Sequence, residues 1–253
     1  IVAIRHGHGF HNDFAGLMSP FSPDPHLTDL GRQQAELTGE LLRAVPFERL
    51  IVSPFTRTLE TAASILAERG EMTATVVTPL AAEHNGGQWQ DDKLNAATSV
   101  IARGDHGSNR EVLVERFPPS EYPQYAGFPQ LEDNWWCHGR SDGFESHQSF
   151  IDRAERLRMW LGTFSSSTMP IIALVSHGGI LCETFKQDKD ADVDGKFLNC
   201  EFRCFDVDMA GNFARPMHVQ HLQECRTKDA AGDREVTGRA EHEANPFCLD
   251  FED

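Results

Sequence analysis

Short apolar runs alternate with amphipathic segments along most of this chain. Four of the runs have the length and continuity of strands buried on both faces, at residues 1–4, 50–52, 74–77 and 171–175. Segments with helical periodicity separate them, so strands and helices alternate in both halves of the chain. This alternation predicts an α/β fold, a three-layer α/β/α sandwich around a mostly parallel central sheet.

Three segments carry apolar residues at helical spacing. The first is expected to run from a Thr28 cap to about Ala44, and the other two lie near residues 59–66 and 150–164. We interpret their apolar faces as core-facing. The faces consist of Leu30, Leu37, Leu41 and Leu42 in the first segment, Leu59, Ala62, Ala63 and Leu66 in the second, and Phe150, Ala154, Leu157, Leu161 and Phe164 in the third.

The region after the last predicted helix contains a candidate hairpin. Residues 201–207 and 213–219 read as strands, and a short turn that includes Gly211 joins them. Antiparallel strands can be joined by so short a turn, whereas parallel ones cannot. We therefore expect one antiparallel element beside the parallel strands.

The least regular part of the chain, residues 84–143, is predicted to be a long insert over the active site. An insert that follows the third strand can hang over the edge of the sheet, so its aromatic rings could line a lid there. The alternative, which we favour for any single ring, is that they pack a small satellite core. The rings concerned are Trp89, Tyr122, Tyr125, Trp135 and Trp136.

The length of 253 residues suits one large α/β domain, with residues 84–143 as the insert and about 222–253 as a surface tail. The net charge of 23 − 39 = −16 disfavours nucleic acid and anionic membranes as partners. No apolar run is long enough to span a bilayer, and the six cysteines follow no compact framework. We expect reduced thiols and a cytoplasmic location, and the sequence leaves the oligomeric state open.

Two histidines followed by glycine stand at the ends of apolar strands. Arg5-His6-Gly7 follows the first strand, and Ser176-His177-Gly178-Gly179 follows the strand at residues 171–175. Open α/β sheets bind ligands at the carboxyl ends of their strands, and glycine lets the backbone approach a ligand closely. Either pair alone is commonly just a turn. Together they offer two imidazoles and a guanidinium to a phosphoryl group.

A third element strengthens the case for an anion site. In Ser53-Pro54-Phe55-Thr56-Arg57, Ser53 can cap a helix and Pro54 can take its first position, so Arg57 falls in or near the first turn. A cation there opposes the helix dipole. An anion bound at the helix N-terminus would make the position of the Arg57 charge favourable.

The chain resembles the histidine phosphatase superfamily in its phosphoglycerate mutase-like branch. The resemblance is carried by the three elements above together with Asn12, the segment Leu27-Thr28-Asp29-Leu30-Gly31 and Glu83. Their order and spacing match from residue 1 to about residue 186, although the middle of the chain aligns poorly. Arg-His-Gly alone is a weak signal, whereas all the elements in sequence are a strong one.

The resemblance implies a role for each matching residue. His6 would be the nucleophile that accepts the phosphoryl group, and Glu83 would protonate the leaving alcohol and later activate water. Arg5, Asn12, Arg57, His177 and Gly178 would bind the phosphate. Two guanidiniums match the equatorial oxygens of a loose, in-line transition state, so no metal or other cofactor is expected.

Four further residues are candidates for contact with the substrate: His8, His11, His84 and Trp89. We expect His8 and His11 to shape the pocket entrance. Together with His6 they also read as a possible metal site, but the Arg5 guanidinium beside them would repel a cation.

The segment Glu83-His84-Asn85-Gly86-Gly87 lacks the arginine and tyrosine found there in phosphoglycerate mutases. The sequence therefore favours a metal-independent phosphatase that acts on a small phosphorylated metabolite through a phosphohistidine. Three alternatives stay open. The chain could be a phosphomutase with the same nucleophile, or a non-catalytic relative that binds an anion. It could also bind a carboxylate with its arginine and histidine side chains while Glu83 performs acid–base chemistry on carbon.

Overall fold

The computed structural model describes residues 1–12, 24–70, 73–84, 106–125, 128, 131–138, 145–164, 171–186, 197–208 and 212–214. The strands are β1 (Val2–Arg5), β2 (Phe47–Val52), β3 (Ala74–Val77), β4 (Ile171–Ser176), β5 (Phe202–Cys204), β6 (Asp206–Val207) and β7 (Phe213–Ala214). The helices are α1 (Asp29–Leu41), α2 (Thr56–Arg69), α3 (Arg110–Arg116), α4 (His147–Gly162) and α5 (Gly178–Thr184).

Five strands form the central sheet in the order β3-β2-β4-β1-β5. The first four are parallel, and β5 runs antiparallel to β1. Because Arg5 pairs with Ser176 and Val52 pairs with both Val77 and Val175, four strands end at one edge of the sheet. The predicted α/β architecture with one antiparallel element is confirmed.

Alternate residues of the strands contribute to two separate hydrophobic cores. Ile4, Val52 and Val175 face the core that contains α2, while Ala3 and Leu174 face the core that contains α4 and α5. Side chains of successive strand residues point to opposite faces, so helices cover both faces of the sheet. These are the three layers that the sequence predicts.

The predicted leucine face of α1 is only partly correct, since Leu42 is buried directly after the helix but Leu30 and Leu37 are half-buried. The buried residues are small ones, Gly31, Ala35, Thr38 and Gly39, while Leu41 is 38% exposed. The reason is close backbone contact: a Cβ added to Gly31 would lie 2.0 Å from the carbonyl oxygen of His8. The predicted Thr28 cap is correct, since its hydroxyl accepts a hydrogen bond from the Gly31 N–H, but the helix ends at Leu41 rather than near Ala44.

The other two predicted helices follow their patterns closely. Leu59, Ala62 and Leu66 are buried on α2, and Phe150, Ala154, Leu157 and Leu161 are buried on α4. Two predicted positions are only half-buried, Ala63 and Phe164.

The predicted hairpin is interrupted at Phe205. Before it, β5 joins the main sheet, and after it β6 pairs with β7 as a separate two-stranded ribbon. Phe205 stacks on Phe185 at 4.2 Å between ring centroids, and its N–H donates to the Ile1 carbonyl. This buried ring therefore fixes the break. Residues 215–219 lie outside the described part of the chain.

The described aromatic residues of the insert do not form a separate satellite core. Tyr125, Trp135 and Trp136 are buried in the same core as α2, and Tyr122 packs against it. These four rings therefore pack, as the alternative to a lid predicts, but they join the main core and not the satellite core that was expected. Trp89 and the proposed tail at about 222–253 lie outside the described residues. Within the part of the chain that is described, no helix is long and apolar enough to cross a membrane.

Candidate active site

The candidate catalytic side chains all follow strands that end at the same edge of the sheet. Arg5 ends β1 and His6 follows it, while His177 follows β4. Arg57 occupies the first turn of α2, as predicted, and Glu83 comes two residues after the 3-10 turn Pro79–Ala81. The topology thus gathers residues that are up to 172 positions apart in the sequence.

The imidazole of His6 is held in one tautomer. Its Nδ1 lies 2.7 Å from the Gly7 carbonyl oxygen. Because a carbonyl can only accept, Nδ1 carries the proton and the lone pair is left on Nε2. Burial, followed by the charge of Arg57, holds the pKa of His6 well below its usual value. A neutral imidazole with a bare Nε2 is the form that can attack phosphorus.

The ring of His177 stands beside that of His6, with 5.1 Å between centroids. Its Nε2 lies 2.8 Å from the Ser53 hydroxyl. The Nδ1 atom is buried and has no hydrogen-bond partner among the described residues. Burial and Arg57 also lower the pKa of His177 well below normal, so this ring is neutral too.

The predicted role of Ser53 as a helix cap is wrong. Helix α2 begins two residues later than expected, with Phe55 at its N-cap and no side-chain cap bond from that residue. Asp24 supplies the carboxylate instead, accepting from the Thr56 N–H at 2.9 Å and from its hydroxyl at 2.7 Å. This buried anion offsets the helix dipole, and it also pairs with Arg116 at 3.3 Å.

Arg57 is 1% exposed, and its guanidinium lies over the Phe55 ring at 4.4 Å. The same ring contacts His177 edge-on at 5.1 Å and Trp135 at 5.0 Å. Phe55 therefore supports two candidate phosphate ligands at once, and Trp135 of the insert supports Phe55.

Arg5 is oriented by the loop that precedes β5. Its Nη1 donates to the Phe197 carbonyl at 2.6 Å, and its Nε is buried with no hydrogen-bond partner among the described residues. Asn199 of the same loop donates to the His6 carbonyl at 3.2 Å and to Asn12 Oδ1 at 3.4 Å. Because Oδ1 of Asn12 also accepts from the Gly9 N–H, its Nδ2 is the group that can donate to a ligand.

Glu83 lies at the N-terminus of α5. Its carboxylate accepts from the backbone N–H groups of Gly179 at 3.0 Å and Ile180 at 3.2 Å, and from its neighbour His84 at 2.9 Å. A Cβ on Gly179 would lie 2.5 Å from Glu83 Oε1, so glycine is needed there for the carboxylate. Burial lowers the pKa of Arg5, and the nearby charge of Glu83 opposes that effect.

A buried ion pair that sequence reasoning missed fixes the Glu83 segment. Arg153 donates to both oxygens of Glu145, at 2.8 and 2.7 Å. Its guanidinium also donates to the carbonyls of Leu80 at 3.0 Å, Ala82 at 2.6 Å and Glu83 at 3.2 Å. No local pattern signals this contact, because Arg153 lies on α4, 70 residues further along the chain.

We expect Arg153→Lys to lower both stability and activity, because an ammonium cannot reproduce the forked bonds. Breaking a buried pair typically costs about 3–5 kcal/mol, and the Glu83 backbone loses its support. Urea unfolding should show the lower free energy of unfolding, and turnover of alkyl phosphates should fall about tenfold or more. Arg156→Lys, an exposed position on the same helix, is the matched control. Wild-type stability and rates in Arg153→Lys would show that the forked hydrogen bonds of Arg153 are dispensable.

The remaining predicted residues divide into three groups. Gly178 begins α5 beside Arg5, and His11 lies next to His6 with 5.3 Å between ring centroids. His8 Nδ1 lies 3.0 Å from Thr28 Oγ1 at the start of α1, and His84 packs on Phe150 at 4.7 Å. Trp89 lies outside the described residues, among which no cluster is placed to hold a metal ion.

The chain is similar to known proteins in sequence and in fold. A family model described as histidine phosphatase superfamily (branch 1) matches residues 1–106. The adenosylcobalamin/alpha-ribazole phosphatase of Salmonella typhi is 31% identical over 178 residues, 70% of this chain and 73% of that protein. Phosphoglycerate mutase-like protein 1 of Arabidopsis thaliana is 26% identical over 232 residues, 80% and 79% of the two chains. A putative alpha-ribazole-5'-P phosphatase structure from Escherichia coli has a TM-score of 0.54 at 20% identity, covering 85% of this chain and 93% of that one.

Proposed function

Because this chain belongs to the histidine phosphatase superfamily, we propose that it is a metal-independent phosphatase that hydrolyses a small phosphorylated metabolite through a phosphohistidine on His6. The observation that carries the proposal is the fixed tautomer of His6. Its Nδ1–H is bound to the Gly7 carbonyl, so Nε2 presents its lone pair in a pocket with two arginines.

The placement of these groups supports a two-step reaction. In the proposed reaction Glu83 is protonated when the substrate binds. Nε2 of His6 attacks phosphorus, the bond from phosphorus to the ester oxygen breaks, and the Glu83 carboxylic acid gives that oxygen its proton and becomes a carboxylate. Water then attacks the phosphohistidine while Glu83 takes a proton from it, which frees inorganic phosphate and restores Nε2. A general acid of this kind contributes roughly 10²–10⁴-fold when the leaving group is an alkoxide.

The charges in the pocket suit a phosphate dianion. Arg5 and Arg57 are cationic, whereas burial keeps the pKa of His6 and His177 low and both rings neutral. The positive charge is therefore concentrated on the guanidiniums, which match phosphoryl oxygens in geometry. Neutral rings leave one imidazole free to attack and another to donate a hydrogen bond.

Hydrolysis is favoured over transfer by the segment after Glu83. The segment Glu83-His84-Asn85-Gly86-Gly87 lacks the arginine and the tyrosine that phosphoglycerate mutases carry there. His84 packs on Phe150, and its Nε2 has no hydrogen-bond partner among the described residues. The S. typhi relative is itself named a phosphatase.

The test is turnover of p-nitrophenyl phosphate and a panel of phosphorylated metabolites in the presence of a chelator. We expect activity that survives chelation and releases inorganic phosphate in equal amount to the alcohol. Movement of phosphate within one molecule, without free phosphate, would indicate a phosphomutase instead. Complete loss on chelation, restored by metal, would contradict the metal-independent mechanism.

A further inference from the structure

Three imidazoles, not two, lie together at the candidate phosphoryl site. The His6 ring has His177 at 5.1 Å and His11 at 5.3 Å between centroids. His11 is thus as close to the proposed nucleophile as the predicted phosphate ligand is. The proposed reaction does not use its ring.

The turn that carries His11 is well fixed. In the 3-10 turn Phe10–Asn12, the Asn12 N–H donates to the Gly9 carbonyl at 2.8 Å and the Phe10 N–H donates to the His26 carbonyl at 3.1 Å. A Cβ added to Gly9 would lie 2.8 Å from the His11 ring. Glycine at position 9 therefore makes the space in which the ring can lie beside His6.

The surroundings of His11 leave it neutral and unsatisfied. Burial, followed by the charges of Arg57 and Arg5, lowers the pKa of His11 to about 2. A neutral imidazole offers one N–H donor. Its Nδ1 is buried and has no hydrogen-bond partner among the described residues. Because Nδ1 lies against Gly9, Nε2 is the ring nitrogen whose N–H a bound oxyanion would use.

We propose that His11 is a further phosphoryl-binding residue, donating a hydrogen bond to an oxygen of the group that Arg5, Arg57 and His177 hold. The inference rests on the proposed function for its ligand, a phosphate ester. It assigns His11 to the transferred group, not to the organic part of the substrate.

The experiment compares His11→Phe, which keeps a ring but has no donor, with His11→Gln, which keeps an N–H donor. Binding of inorganic phosphate is measured by calorimetry, and kcat/KM is measured on an aryl phosphate. We expect His11→Phe to weaken phosphate binding roughly tenfold or more, because a hydrogen bond to a charged group contributes about 1.5–3 kcal/mol. His11→Gln should recover a large part of that loss. His147→Gln, at an exposed histidine on α4, is the control.

Unchanged phosphate binding in His11→Phe, with a thermal unfolding midpoint near that of the wild type, would overturn the proposal. Equal losses in the Phe and Gln variants would overturn it as well, since the donor would then be irrelevant. Failure of the proposed function looks different: the wild type would bind phosphate, His11→Phe would bind it more weakly, and no ester would be hydrolysed by either protein.

Discussion

His6→Asn is expected to lower kcat by about 10⁴-fold or more while inorganic phosphate still binds within about fivefold of the wild-type affinity. The amide can occupy the position of the imidazole, but it has no nitrogen lone pair able to accept a phosphoryl group. Arg5, Arg57 and His177 stay in place, because each is also held by a residue other than His6: the Phe197 carbonyl, the Phe55 ring and the Ser53 hydroxyl respectively. Steady-state turnover of p-nitrophenyl phosphate and calorimetry with phosphate measure the two quantities.

The control for this variant is His147→Asn, which should leave kcat unchanged. A His6→Asn protein that retains a tenth of wild-type turnover, in a preparation shown to be free of contaminating phosphatase, would place the nucleophile elsewhere. Loss of phosphate affinity by more than about a hundredfold would instead show that His6 is mainly a binding residue.

Glu83→Gln is expected to separate substrates by their leaving groups. An alkoxide needs a proton as it departs, so turnover of alkyl phosphates should fall about 10²–10⁴-fold. An aryloxide leaves without full protonation, so aryl phosphates should lose less than about tenfold when phosphoryl transfer to His6 is measured as a burst. Rapid-mixing measurements on a series of esters would show how steeply the burst rate depends on the acidity of the leaving group.

The structural role of Glu83 calls for a second carboxylate as a control. Glu60 also accepts from a backbone N–H, that of Leu27 at 2.6 Å, and it pairs with His26. Glu60→Gln should affect aryl and alkyl esters equally. The same equal loss in Glu83→Gln would mean that its three backbone hydrogen bonds, and not proton transfer, explain the effect.

Much of the fold and the main candidate residues could be predicted because their signals are local. Buried strands are continuous apolar runs, and each candidate ligand directly follows such a run or begins the helix after it, as His6, Arg57 and His177 do. Parallel strands end at one edge of a sheet, so the position of these residues in the sequence was enough to bring them together.

The supporting contacts could not be predicted because they join distant segments. Asp24 caps α2 from 32 residues away, and Arg153 holds the Glu83 backbone from 70 residues away. The preference for serine before the first residue of a helix predicted Ser53 as the cap, but the Ser53 hydroxyl is hydrogen-bonded to His177 instead. Likewise, α1 packs through Gly31 and Gly39 because backbones meet there, which a search for leucine faces cannot detect.

The most direct measurement is identification of the phosphorylated atom after rapid mixing with substrate and a denaturing quench at alkaline pH, where phosphohistidine survives. Phosphorus NMR and mass spectrometry of the trapped protein distinguish the two ring nitrogens of His6. Since Nδ1 donates its proton to the Gly7 carbonyl, we expect the phosphoryl group on Nε2. Phosphate on Nδ1, or full turnover with no labelled histidine at any time, would contradict the mechanism.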